Sequence, residues 1–166
     1  MLYVDSIFEN IKKTVQLYFI PLASEFIKSG LIEIRDAFHT IVFYPRSKRE
    51  SLVDLRSAEQ KERIEGFKYD KIFINEAGIV LDKYLFENAL YPMLLDNPKS
   101  QLYALGTPKG RGTYFYELYA QASLAPERFD VFHLSPYDNP FIDRAEIENY
   151  KKTVSDVVFR QEILGE

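Results

Sequence analysis

The sequence of 166 residues contains no cysteine and only two histidines. Without thiols the chain can form neither disulfides nor thiolate metal sites. His39 and His133 are each isolated in a strand-like stretch, so we interpret them as core or sheet residues. The sequence therefore predicts no metal site built from dedicated protein ligands.

Long apolar runs are also missing. No run is long enough to cross a membrane, for which about 18 consecutive apolar residues are needed. The N-terminus lacks the basic-then-apolar pattern of a signal peptide. From these absences we expect a cytoplasmic protein that makes no membrane contact.

Positive charge is not in excess. The net charge of -4 and the sequence pI of about 5.3 argue against a nucleic-acid binder that is cationic overall, and they leave room only for a local basic patch. With 46% hydrophobic residues the chain is long enough for one domain with its own core. We predict a single domain over residues 1–166.

The most informative stretch is KYDKIFINEAGIVL, from Lys68 to Leu81. Its apolar run predicts a short buried strand over residues 71–74, which ends at Asn75 and Glu76. Taken alone, the run is equally typical of an ordinary strand whose glutamate faces solvent. A carboxylate at the end of a buried strand is the alternative with a chemical use.

A second stretch, residues 101–112, favours that alternative. QLYAL predicts another buried strand, and it leads directly into Gly106, Thr107, Pro108, Lys109, Gly110, Arg111 and Gly112. Two such strands joined by a helix form a crevice at one edge of a parallel sheet, where open α/β folds bind ligands. We therefore expect Glu76 and Thr107 to lie at the same edge.

Strand-like and helix-like segments alternate over most of the chain. The predicted strands are residues 2–4, 31–35, 38–44, 52–55, 71–74, 101–105 and 129–134. The predicted helices are a segment from residue 6 that kinks at Pro21 and ends at Gly30, 58–65, 82–95 with an interruption at Pro92, 113–122, and two short helices after Asp143. Ser6 with Glu9, and Asp143 with Glu146, have the spacing of capping boxes. The alternation predicts an α/β fold with a largely parallel sheet covered on both faces.

Lys109 and Arg111 are followed by the aromatic residues Tyr114, Phe115, Tyr116 and Tyr119. Charge interleaved with stacking surfaces is one pattern that binds nucleic acid. The interpretation that we favour places the aromatic rings in the core between helix and sheet and the basic side chains in solvent.

Five ordered motifs carry a family resemblance: RSAEQKERIEGFKYDKIFINEAG, LYPMLLD, LGTPKGRGTYFYELY, SPYDNPFI and VFRQEILGE. In order and spacing they resemble the ATPase domain of the phage terminase large subunit, the motor that packages DNA into proheads. The match runs from about Leu52 to Glu166. Tyr3 to Phe26 also resembles the strand and helix that follow the family's phosphate-binding helix.

The resemblance implies a three-layer fold of the P-loop NTPase (RecA/ASCE) type that uses ATP and Mg²⁺. It implies that Glu76, in the Walker B position, activates the attacking water, with Asn75 on the Mg²⁺ side. Gly106, Thr107 and Pro108 match the coupling motif, and Lys109 and Arg111 become candidates for DNA or phosphate contact. The implied partners are double-stranded DNA, the portal and the small terminase subunit, at the prohead portal in the host cytoplasm.

Three departures from the family pattern point to a loss of activity. The sequence has no GxxxxGK[ST] loop, whose backbone N-H groups and lysine neutralise phosphates. Asn75 stands where the family commonly has an aspartate, and Glu65 stands where many members have an arginine. We expect an ATPase domain that is incomplete at its N-terminus, lacks the nuclease domain, and hydrolyses ATP negligibly alone. The alternatives are a non-catalytic DNA-binding module and a motor-assembly module.

An incomplete sheet has a further consequence. If the strand beside residues 72–74 is missing, the N-H and C=O groups of residues 72–74 on that side are left unpaired and form an exposed edge. We expect this edge to be covered by self-association, by residues 1–4, or by a partner chain.

Overall fold

The computed structural model describes residues 1–35, 37, 39–64, 66–95 and 97–166. These residues form two compact units, residues 1–105 and residues 106–166. The single domain over residues 1–166 stays a prediction. The first residue of the strand predicted over residues 38–44 and the role of Glu65 fall on residues outside the described ones.

The first unit contains a six-stranded sheet, as far as the structure describes it. Its strands are β1 (Leu2–Asp5), β2 (Ile32–Arg35), β3 (Thr40–Phe43), β4 (Ser51–Ser57), β5 (Lys71–Ile74) and β6 (Gln101–Ala104), in the order β2-β3-β4-β1-β5-β6. β1 is parallel to β4 and β5, and β5 is parallel to β6, whereas β3 is antiparallel to β2 and β4. The carboxyl ends of β1, β4, β5 and β6 therefore share one edge. The predicted α/β fold is confirmed.

The helices between β1 and β2 cover one face of the sheet. They are α1 (Phe8–Thr14), a π-helical turn (Val15–Phe19), α2 (Ile20–Leu22) and α3 (Ser24–Lys28). Ile11, Val15 and Ala23 pack with Ile32, Ile41 and Leu55 of the strands. Gly30 ends this helical segment as predicted, because its φ of 73° suits glycine and lets the Leu31 N-H donate to the Phe26 carbonyl.

A second helical segment links β5 to β6. It comprises α4 (Ala77–Val80), a π-helical turn (Leu85–Leu90) and α5 (Tyr91–Leu95). Asp82 accepts the Leu85 N-H at 2.8 Å. The interruption predicted at Pro92 corresponds to a change of helix type, because the π-helical turn gives way to α5 at Tyr91, one residue before this proline.

Side chains alternate across β1 and β5. Leu2 is in register with Ile72, and Val4 with Ile74, and all four side chains are fully buried. On the opposite face Tyr3 is in register with Phe73, and the Phe73 ring stacks on Tyr103 with centroids 4.5 Å apart. The centre of the sheet is thus an aliphatic core on one side and a half-buried aromatic row on the other.

The second unit is helical. It contains α6 (Tyr114–Leu124), a 3₁₀ turn (Pro136–Asp138), α7 (Arg144–Thr153) and α8 (Asp156–Glu162). Asp143 caps α7 as predicted, since its carboxylate accepts the Ala145 N-H at 2.8 Å. Ile147 and Phe159 are the buried anchors of α7 and α8.

Two local predictions are wrong. Ser6 does not cap α1: the residue before the helix is Ile7, and the Ser6 hydroxyl donates instead to Asp5. Residues 129–134 form no strand. Their alternation suits a strand, but none of the ladders of the described residues includes them, and Phe132 and Leu134 remain 84% and 79% exposed.

The edge along residues 72–74, which we expected to be covered, is covered in the structure. β5 pairs with β1 on one side and with β6 on the other. Of the three covers that we expected, the N-terminal segment is the one that the structure shows, in the form of β1. Among the described strands, those with a single neighbour are β2 and β6.

Candidate functional site

The candidate site lies at the carboxyl ends of β1 and β5. Because these strands are parallel neighbours in register, the residues that follow them meet at one edge of the sheet. β1 ends with Asp5, and β5 is followed by Asn75 and Glu76. The Asn75 N-H donates to the Val4 carbonyl at 2.8 Å, so the ladder continues to the first site residue.

Asp5 is the buried centre of this edge, with only 2% of its surface exposed. Its Oδ1 accepts the backbone N-H of Ser6 at 2.6 Å and the Ser6 hydroxyl at 3.1 Å. Its Oδ2 accepts the Asn75 Nδ2 at 3.0 Å and the Tyr3 hydroxyl at 3.3 Å. Four donations to two oxygens satisfy a carboxylate that burial would otherwise destabilise.

Glu76 is exposed and has a left-handed backbone, with φ 52° and ψ 42°. Residues with a Cβ seldom adopt this conformation, and in native structures it clusters at functional positions. The next residue, Ala77, is fully buried and donates its N-H to the Leu105 carbonyl at 2.7 Å. The turn therefore directs the Glu76 side chain outward while the main chain beside it is fixed to the end of β6.

The site is electrostatically negative. Burial, followed by the charge of Asp5, their hydrogen bond and the charge of Glu76, raises the pKa of Tyr3 to about 12. The negative charges of Asp5 and Glu76 thus both act on the Tyr3 phenol. β4 joins the same edge, because the Ser57 hydroxyl donates to the Ser6 carbonyl at 3.1 Å.

The glycine-rich stretch belongs to the second unit. Gly110 has a φ of 95°, and its carbonyl accepts the Thr113 hydroxyl at 2.9 Å. Lys109 forms an ion pair with Glu162 of α8 at 2.8 Å, whereas Arg111 is exposed. The hydrogen bond and charge of Lys109 lower the pKa of Glu162, with a contribution from Gln161.

The aromatic side chains near these basic residues are divided by their exposure. Tyr114 and Phe115 are half-buried, while Tyr116 and Tyr119 are 36% and 52% exposed. Core packing, the interpretation favoured from the sequence, thus describes the first pair better than the second.

The structure brings together Asn75 and Glu76, and adds Asp5, which the sequence analysis missed. The available signal was an acidic residue directly after the apolar run of residues 2–4, the same pattern that selected Glu76. Gly106, Thr107 and Pro108 lie in the second unit, so the shared edge of Glu76 and Thr107 stays a prediction.

Clustered metal ligands are missing from the part of the chain that the structure describes. Its residues contain no group of three or more His, Cys, Asp or Glu side chains placed to hold a metal ion. His39 stacks on Phe8 with ring centroids 4.2 Å apart.

Among the described helices, none is long and apolar enough to cross a membrane.

No protein-family model matches the sequence. The chain is 37% identical over 115 residues to the terminase large subunit of Escherichia phage T5. That alignment covers 68% of this chain and 26% of the relative. The chain therefore corresponds to a minor part of that protein's length.

Solved structures show the same fold. The large terminase of a thermophilic bacteriophage matches with a TM-score of 0.73 and 16% identity, over 99% of this chain and 40% of that one. The ATPase domain of the Thermus phage P74-26 large terminase matches with a TM-score of 0.74 and 17% identity, over 99% and 75%. The first of these proteins, in complex with ADP, matches with a TM-score of 0.72 and 16% identity, over 99% and 40%. Sequence and fold agree that the chain belongs to the family of phage terminase large subunits, with the fold of their ATPase domain.

Proposed function

We propose that the chain is part of the ATPase motor domain of a phage terminase large subunit, and that Glu76 activates water in ATP-driven DNA packaging. The observation that carries the proposal is the left-handed turn that holds an exposed Glu76 at the end of β5. Its carboxylate lies at the sheet edge where parallel α/β folds bind ligands. The ADP complex of the large terminase from the thermophilic bacteriophage supports a nucleotide as the ligand.

The chemistry of the chain's own residues follows from this placement. Glu76 accepts a hydrogen bond from a water molecule and orients it for in-line attack. Asn75 lies beside it on the side proposed for Mg²⁺, where an amide oxygen can accept from water bound to the ion. ATP, when bound, supplies the γ-phosphate, and Mg²⁺ neutralises charge on its oxygens.

The residues present provide only part of a binding site for ATP and Mg²⁺. Glu76 and Asn75 offer acceptors for water, but the sequence contains no GxxxxGK[ST] loop to donate to the phosphates. Individual stabilising donors are worth about 10²-fold or more in rate. We therefore expect ATP hydrolysis by this chain alone to be negligible.

The remaining assignments extend the motor proposal. Gly106, Thr107 and Pro108 couple the nucleotide state to movement. Arg111, which is exposed, is the better candidate for a DNA or phosphate contact, because Lys109 is already paired with Glu162. Double-stranded DNA, the portal and the small terminase subunit are the proposed partners, at the prohead portal in the host cytoplasm.

The first experiment compares ATP hydrolysis by the purified chain and by Glu76→Gln. We expect both to stay at the uncatalysed background. Turnover by the chain that Glu76→Gln abolishes would show that it is active by itself, and would overturn the expected inactivity while supporting the role of Glu76.

The second experiment tests Glu76 within the full-length relative. The 115 matching residues of the T5 terminase large subunit are replaced by their counterparts from this chain, and ATP hydrolysis is measured. Glu76→Gln should lower kcat by about 10²-fold or more. Glu87→Gln, on the helical segment after α4, is the matched control and should retain activity. An equal kcat for Glu76→Gln and Glu87→Gln in an active chimera would contradict the proposal.

A further inference from the structure

Among the described residues, the side chain of Asn75 makes one hydrogen bond, and that bond is directional. Its Nδ2 donates to Asp5 Oδ2 at 3.0 Å, across the two neighbouring strands. A carboxylate offers only acceptors, whereas an amide has one donor side and one acceptor side. The group that faces Asp5 must therefore be the NH₂ of Asn75. Its Oδ1 lies on the other side of the amide and accepts no hydrogen bond from the residues that the structure describes.

Asp5 itself is not free to move. Only 2% of its surface is exposed, and Ser6 and Tyr3 donate to the same carboxylate. Rotation of Asp5 would leave these half-buried donors unpaired, at a cost for each group. A fixed acceptor therefore sets the orientation of the Asn75 amide.

We propose that Asp5 is a positioning residue, which orients Asn75 so that its Oδ1 is presented beside Glu76 as an acceptor. The proposal rests on the proposed function, because it assigns Oδ1 to the water and Mg²⁺ side of that site. Asp5 contributes the negative charge and Asn75 contributes the exposed oxygen. Two side chains on neighbouring strands therefore supply the negative charge and the exposed oxygen, which a single carboxylate at position 75 would supply together.

Asp5→Asn provides a specific test, because an amide at position 5 requires Asn75 to accept a hydrogen bond where it now donates one. The introduced amide can still accept the Ser6 N-H through its oxygen, and its NH₂ then faces position 75. Asn75 must rotate to offer Oδ1 inward, and its NH₂ turns outward. A hydrogen bond between the residues survives, but the group presented beside Glu76 changes from an acceptor to a donor.

The measurement is hydrogen exchange of the Asn75 side-chain NH₂ by NMR, on the intact chain and without nucleotide. In the wild-type chain we expect exchange at least 10-fold slower than that of Asn149, an exposed residue of α7. Asp5→Asn should bring the Asn75 rate close to that of Asn149. Asp54→Asn is the matched control. It removes a carboxylate of β4 that accepts a hydrogen bond from the Tyr69 hydroxyl, and it should leave the Asn75 exchange rate unchanged.

A second pair of variants keeps the test decisive if Asp5→Asn does not fold. Asn75→Asp places two carboxylates against each other and should lower the melting temperature. Adding Asp5→Asn to that variant restores one amide and one carboxylate, and should recover most of the loss. A double variant that is no more stable than Asn75→Asp would overturn the pairing.

Two results would overturn the proposal directly: fast exchange of the Asn75 NH₂ in the wild-type chain, or an unchanged rate in folded Asp5→Asn. Neither result depends on nucleotide. A chimera that hydrolyses ATP equally well with Glu76→Gln, together with slow Asn75 exchange, would instead contradict the proposed function and leave the Asp5 contact intact.

Discussion

Ala77 donates its backbone N-H to the carbonyl oxygen of Leu105 at 2.7 Å, and this bond fixes the turn after β5 to the end of β6. Glu76 lies between the strand and this bond, with a φ of 52°. The two fixed ends explain how a residue with a Cβ is held in a left-handed conformation. Such strain persists only when the surrounding structure imposes it.

Glu76→Gly should relieve this strain. A left-handed conformation costs residues other than glycine about 1–2 kcal/mol, and the greater flexibility of glycine in the unfolded chain offsets part of the gain. We expect the free energy of unfolding to rise by about 0.5–1 kcal/mol, measured by urea denaturation. Lys13→Gly, at an exposed position in α1, is the control and should lose about 1 kcal/mol. Equal losses in both variants would show that Glu76 is not strained.

Tyr69 predicts a pH dependence of stability. Its hydroxyl donates to Asp54 at 2.8 Å, and burial, the hydrogen bond and the charge of Asp54 all raise the pKa of the phenol. Above about pH 10, the ordinary pKa of tyrosine, the unfolded chain loses this proton more readily than the folded one. The free energy of unfolding should therefore decline as pH rises beyond that value.

Tyr69→Phe should make this decline shallower and cost about 1 kcal/mol at neutral pH. Tyr3, whose pKa is also raised, maintains part of the slope in both proteins. Tyr18→Phe, at a side chain that is 65% exposed, is the control and should reproduce the wild-type pH profile. Identical slopes for Tyr69→Phe and the wild-type chain between about pH 9 and 11, around the ordinary tyrosine pKa, would contradict the assignment.

Local sequence predicted β5 to the residue, because an apolar run bounded by lysine and asparagine contains its own start and end. It failed for residues 129–134, since a strand also needs a partner, and the pattern FDVFHL does not reveal whether one exists. The position of β1 between β4 and β5 likewise depends on pairing over more than 50 residues of chain. Pairing of this kind has no local signal.

The candidate site shows the same division. Glu76 and Asn75 were found because they follow a recognisable strand and match a family motif. Asp5 was missed because its importance comes from burial and from its contact with Asn75, 70 residues further along the chain. Capping spacing misled at Ser6 for a related reason: the neighbouring carboxylate of Asp5 binds the hydroxyl and the N-H of Ser6.

Thr113 connects the glycine-rich stretch to α6. Its Oγ1 donates to the Gly110 carbonyl at 2.9 Å and accepts the Tyr116 N-H at 3.3 Å. Thr113→Ala should lower the free energy of unfolding by about 1 kcal/mol, whereas Thr113→Ser should keep most of the stability that the threonine cap provides. Thr153→Ala, at the end of α7, is the control and should cost less, because a hydroxyl there satisfies only a carbonyl. Similar losses for Thr113→Ala and Thr153→Ala, measured by thermal unfolding, would argue against the cap.

The last prediction concerns the edge of the sheet at β6. The N-H groups of Gln101 and Leu105 donate to Asp70 and Ile74 along β5 at 3.0 Å. Because donation alternates along a parallel strand, the N-H groups of Leu102 and Ala104 face the opposite side. Within the first unit, the structure describes no strand on that side of β6.

We expect this edge, rather than the one beside residues 72–74, to drive self-association or to take a strand from a partner chain. At low protein concentration the amides of Leu102 and Ala104 should exchange fast and that of Tyr103 slowly. Their protection should then rise together with light scattering as concentration increases. Ala104→Pro removes an outward N-H without breaking a bond to β5, so it should abolish the rise and keep the fold. Fast exchange of Leu102 at every concentration, with scattering that stays constant, would show that the edge does not pair with another copy of the chain.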